Sequence, residues 1–152
     1  MSRISLTKEQ ELEELRGFLE FYFTQVLKVD PADSQHPASF GDEAISKHGK
    51  STALKGLRQA VNDIAGDLSD EAPEYITALD ASLHKAGQIT FSEVRRRFSS
   101  SYRKIRKRGQ IANETEYYLA SGILADAATS ASNEEISSLE EMIEVYENSQ
   151  RR

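Results

Sequence analysis

The sequence predicts an all-α fold: a single-domain bundle of about six helices with short connections and one long loop over about 30–50. Three observations predict it. Small polar residues followed three positions later by an acid or amide recur along the chain, as at capped helix starts. After each start, apolar residues step by three and four, which places them on one helical face. No stretch alternates apolar and polar residues as a half-buried strand does. At 152 residues the chain has the size of one domain with one hydrophobic core, expected to be ordered over about 7–148.

Thr7 with Gln10 opens the first helix, about 8–28. Its stripe is Leu12, Leu15, Leu19, Tyr22 and Val26, widened by Phe18, Phe21 and Phe23, and as the most apolar helix it is expected at the centre. Leu54, Leu57, Val61, Ile64 and Leu68 imply a second helix over about 52–67, started by Ser51 or Thr52. Ile76, Leu79 and Leu83 imply a third over about 72–86, with Pro73 accommodated in its first turn and Gly87 just past its end. Thr90 with Glu93 opens a fourth, about 91–108, which Gly109 ends by taking a left-handed conformation.

Asn113 with Glu116 opens a fifth over about 114–128, carrying Tyr117, Leu119, Ile123 and Leu124. The cap explains Asn113 better than its chance match to a glycosylation acceptor does. Ser132 with Glu135 opens the last, about 133–148, with Ile136, Leu139, Ile143 and Tyr146 on one face. Between the first two helices, Pro31, Pro37, Gly41 and Gly49 break the periodicity and leave the long loop, with room for a short helical turn near 42–47.

Composition removes several function classes. With no cysteine there is no disulfide, thiolate metal site or cysteine nucleophile. No apolar run reaches signal-peptide or membrane-spanning length, so a cytoplasmic chain outside the membrane is expected. His48-Gly49-Lys50-Ser51-Thr52 looks like the end of a phosphate-binding loop, but residue 44 is alanine where that pattern needs glycine, and no strand leads in. Asp80 and His84 share a helix face as a solvated pair, and two ligands do not make a metal site. No nucleophile with a base, glycine-rich elbow or ligand cluster stands out, so neither an enzyme nor a cofactor is expected.

Charge is the most unevenly distributed property of the chain. Arg95, Arg96, Arg97, Arg103, Lys104, Arg106, Lys107 and Arg108 place 8 of 19 basic residues in 14 positions that hold no acid. The remainder of the chain carries a net charge of −14. On one continuous helix, Val94, Phe98, Tyr102 and Ile105 would dock the segment, and Ser99, Ser100 and Ser101 would let a neighbour approach closely. The cations then either contact a phosphate backbone or are neutralised within the fold by the acidic last helix, with Glu134, Glu135, Glu140, Glu141, Glu144 and Glu147. A helix-turn-helix is disfavoured: Leu83 stands where its packing needs a small residue, and the arginines are spread along the second helix rather than gathered at its start.

Two functions follow. The first is a small acidic, non-enzymatic interaction module that holds a basic protein partner, of which an immunity-type or antitoxin-type inhibitor is one concrete form. Its contact surface would be the acidic faces of Glu9, Glu11, Glu13 and Glu14 and of the last helix. The alternative is a nucleic-acid-binding protein that uses the basic helix over 94–108.

Overall fold

The structure, a computed structural model, describes residues 7–30, 32–33, 37–126 and 129–151, with 37–48 described by their helical backbone. Among these the fold is all-helical, without strands. The seven α-helices are α1 (Lys8–Phe21), α2 (Pro37–Asp67), α3 (Pro73–Lys85), α4 (Phe91–Phe98), α5 (Ser100–Arg108), α6 (Glu114–Ala125) and α7 (Asn133–Ser149). A π-helical turn, Tyr22–Val26, extends α1, and Lys28 leaves it with a φ of 57°.

The four caps read from paired residues form, whereas neither Ser51 nor Thr52 starts a helix, because α2 begins at Pro37. Thr7 accepts from the Gln10 N–H while Gln10 returns a bond to the Thr7 N–H. Thr90, Asn113 and Ser132 accept from the N–H groups of Glu93, Glu116 and Glu135. Gly109 closes α5 at φ 75° and donates its N–H to the Ile105 carbonyl. That φ is costly for any residue with a Cβ.

Besides α6, which ends at Ala125 rather than near 128, two boundaries differ from expectation. The interruption over 30–50 is shorter, because α2 starts at Pro37 and runs to Asp67. Proline fits a first turn, where its missing N–H goes unused, and the helical path breaks only at Gly49, with φ 82° and ψ 167°. Beside that break, Lys50 pairs with Glu9 at 2.9 Å and Ser51 accepts from Lys8 at 2.7 Å. The second correction concerns the basic helix. Ser99 takes extended angles, φ −71° and ψ 124°, and its hydroxyl accepts from the Tyr102 N–H, so 91–108 is two helices with Ser99 as the cap of the second. The Ser100 N–H donates to the Asn62 side chain on α2 at 3.0 Å, which fixes the new direction.

The break at Ser99 divides the apolar packing as well. Leu15, Phe18, Val61, Leu83, Phe91 and Val94 belong to a first buried cluster built from α1 to α4. Tyr102, Ile105, Leu119, Ile123 and Leu139 belong to a second, built from α5 to α7. The docking stripe is therefore shared out, with Phe98 against the first cluster and Tyr102 and Ile105 inside the second. The expected single core is two clusters. Helix α4 touches α2, α3, α5 and α6, and the buried polar residues among those described are Thr90, Ser92, Glu93, Arg95, Ser99 and Asp126. All but Asp126 belong to α4 or its caps, so a polar seam runs along this helix.

Candidate functional site

Glu93 organises the seam. It is 3% exposed, and its carboxylate accepts from Arg96 Nε at 2.9 Å, Arg96 Nη2 at 2.8 Å and Arg97 Nε at 2.8 Å. The Ser130 hydroxyl also donates to it. Burial alone would push this carboxyl up, yet the bonds from Arg96, Ser130 and Arg97 hold it down at about 2. Arg96, whose side chain is 7% exposed, reaches on to Glu135 of α7 at 3.1 Å. Arg97 reaches Glu14 of α1 at 2.9 Å. Through these two arginines, α4 ties the first and last helices together.

Arg95 behaves differently. It is 5% exposed, and its guanidinium lies over the Phe91 ring at 4.9 Å. Its Nε has no hydrogen-bond partner, and no described residue forms an ion pair with it. Burial lowers its pKa to about 10, with the Asp80 carboxylate opposing the shift. On α6, a methyl group at Gly122 would meet Arg95 Nη2 at 2.9 Å, so a larger residue there would displace the end of this guanidinium.

Asp80 is not the solvated partner of His84 that its spacing indicates. Its carboxylate accepts from the Ser92 N–H at 2.9 Å and from the Ser92 hydroxyl, which caps α4 from α3. Burial raises its pKa, and the Ser92 bonds partly offset that rise. Thr90, itself the cap of α4, donates its hydroxyl to Asp126 at 2.7 Å. These groups line a cavity of about 460 Å³ between α3 and α6, with Arg95, Asp80, Thr90 and Asp126 among polar walls and Ile76 and Leu119 among apolar ones. Sequence reasoning missed this site. The signals available were a run of polar residues at the buried start of α4 and a glycine inside α6. Among the described residues no group of three or more His, Cys, Asp or Glu side chains could hold a metal ion.

The cations of α5 face outward. Arg103, Lys104, Arg106 and Lys107 are exposed, and none forms an ion pair among the described residues. Arg106 makes a long contact, 3.5 Å, to the Glu135 carbonyl and also reaches the Tyr102 hydroxyl. Arg108 is the exception, held by both oxygens of Glu116 at 2.8 Å.

The acidic residues divide in the same way. On α1, Glu9 pairs with Lys50, Glu11 with Arg58 at 2.6 Å and Glu14 with Arg97, leaving Glu13 exposed. On α7, Glu135 is spent on Arg96 and on the Tyr102 hydroxyl at 2.6 Å, and Glu147 accepts from the Tyr117 hydroxyl at 2.6 Å. Glu134, Glu140, Glu141 and Glu144 remain exposed and without ion pairs among the described residues. Val145, 56% exposed, stands among them. Beside it a shallow groove of about 230 Å³ runs between α7 and the connection after α5, lined by Glu141, Met142, Val145, Tyr146 and Ile111.

No family model, curated protein or solved structure matches the chain. Among the described residues no helix is long and apolar enough to cross a membrane.

Proposed function

We propose that this chain is a non-enzymatic interaction module that holds a basic protein partner on the outer face of α7. The observation that carries the reading is the contrast between the two acidic helices. Three carboxylates of α1 are engaged within the fold, whereas Glu134, Glu140, Glu141 and Glu144 of α7 are exposed, without counter-ions among the described residues, around an exposed Val145. The adjoining groove suits a lysine or arginine of a partner, its stem against Met142, Val145 and Tyr146 and its charged head at Glu141. Acidic surface of this kind also speeds encounter with a cationic protein. An inhibitor of the immunity or antitoxin type is one concrete form of the reading, and its cytoplasmic location, with which a cysteine-free chain is compatible, is part of the proposal.

The test is affinity capture from native lysate with the wild type and with E140A/E141A/E144A. The reading expects a stoichiometric partner of basic isoelectric point that the wild type retains and the triple variant loses. Recovery of the chain alone, or equal retention by both, contradicts it. A second reading is supported by the four outward cations of α5, which offer a phosphate backbone several contacts on one short helix. That reading expects nucleic-acid affinity that weakens steeply between two salt concentrations and disappears in R103A/K104A/R106A/K107A, measured by fluorescence anisotropy. Absence of binding at low salt contradicts it.

A further inference from the structure

The cavity between α3 and α6 holds an unmet chemical demand. Arg95 is buried, its Nε has no acceptor, and no described residue forms an ion pair with it. A buried guanidinium without a counter-ion is costly to keep, so groups that fill this position repay it with bonds of their own. Asp80 lines the same cavity and is close enough for its charge to act on Arg95, yet no ion pair or hydrogen bond joins the two. Asp126 adds a second carboxylate to the lining. Positive and negative charge thus share one cavity without being joined.

We propose that this cavity binds a free α-amino acid with an apolar side chain. The ligand carboxylate takes the N–H donors of Arg95, a planar match of fork to fork. The ammonium lies on the side of Asp80 and Asp126, and the side chain occupies the apolar space by Ile76 and Leu119. A dianionic phosphate suits the cavity less well, because two carboxylates share the lining with the one arginine. At about 460 Å³ the space lies in the usual range for small-molecule sites. This proposal does not depend on the partner reading of α7, whose residues do not line the cavity.

The experiment is a titration of the full chain followed by amide resonances in nitrogen–proton spectra. The probes are phenylalanine and leucine, then 3-phenylpropanoate, 2-phenylethylamine, N-acetylphenylalanine and inorganic phosphate. Saturable shifts confined to α3, α4 and α6 are expected with phenylalanine or leucine. The carboxylate alone, the amine alone and the acetylated form, which mimics a peptide C-terminus, should each bind at least about tenfold more weakly, a difference easily resolved in affinity, and phosphate should give no such shifts. R95M should abolish the shifts. Should that variant fail to fold, A81F decides: Ala81 is exposed where it lines the cavity, so a phenylalanine there obstructs access and leaves Arg95 intact. The absence of saturable shifts with both amino acids overturns the proposal and leaves solvent as the partner of Arg95. Equal binding by the acetylated form or by either half-molecule overturns the zwitterion assignment, and shifts that persist in folded R95M or A81F overturn the site.

Discussion

Helices α4 and α5 come from one basic run of sequence, and they meet opposite electrical conditions. Arg95, Arg96 and Arg97 enter the polar seam along α4, where Glu93 accompanies Arg96 and Arg97 while Arg95 has no ion pair among the described residues. Arg103, Lys104, Arg106 and Lys107 stay in water, because α5 inserts only Tyr102 and Ile105 into the second cluster. The turn at Ser99 produces the difference. A straight helix would carry one stripe past both clusters, whereas two helices present two faces. Most of the counter-ions come from helix starts. Glu93, Glu116 and Glu135 each stand three residues after a helix cap, and each is the acid that an arginine of the run finds. Local capping chemistry thus doubles as long-range charge pairing.

The largest expected effect tests the inward half. E93Q removes the charge that Arg96 and Arg97 share, and breaking a buried pair in this way costs about 3–5 kcal/mol. Urea unfolding should show it as a large drop in midpoint, and an unchanged midpoint would erase the distinction between α4 and α5.

Acid titration sharpens the same point. Glu93 ionises at about 2 in the fold against an ordinary value of 4.5. Its contribution is complete above the ordinary value and is lost as pH falls through about 2. Asp80, raised by burial, acts in the opposite sense and offsets part of the loss. Thermal unfolding of the wild type should weaken between about pH 5 and pH 2, and E93Q should flatten that decline. An identical decline in the variant would assign it to other carboxyls.

A smaller effect is expected at the joint. S99A removes the hydroxyl that caps α5, at a cost of about 1 kcal/mol, again read from urea midpoints. No loss would mean that Asn62 alone holds the turn. The smallest effect belongs to the outward half, where R103A/K104A/R106A/K107A should leave stability within about 0.5 kcal/mol per position. A larger loss would show that these cations have partners within the fold.

Much of this architecture can be read along the chain. Thr7, Thr90, Asn113 and Ser132 cap the helices that their spacing indicates, and Gly109 ends α5 in the left-handed conformation expected of it. What is local in sequence is legible because caps and stripes act within four residues. Ser99 is not legible in the same way, since three successive serines suit a helix interior or a break, and the bond from Ser100 to Asn62 favours the break. The helical backbone over 37–48 is hidden for a related reason: Pro37 and Gly49 mark its limits but also resemble the punctuation of a loop. The cavity is the least legible feature. Asp80 caps α4 from another helix, and Gly122 matters only because Arg95 arrives from α4. Both facts depend on how the helices pack.

The division of the basic run is tested most directly by hydrogen exchange at the arginine side chains, followed through their Nε–H resonances. The Nε–H groups of Arg96 and Arg97 are bonded to Glu93 at 2.9 and 2.8 Å and should exchange slowly. Those of Arg103 and Arg106, on exposed side chains, should exchange as fast as in an unstructured peptide. Equal protection of all four, or rapid exchange at Arg96 and Arg97, would contradict the inward and outward assignment on which the account rests.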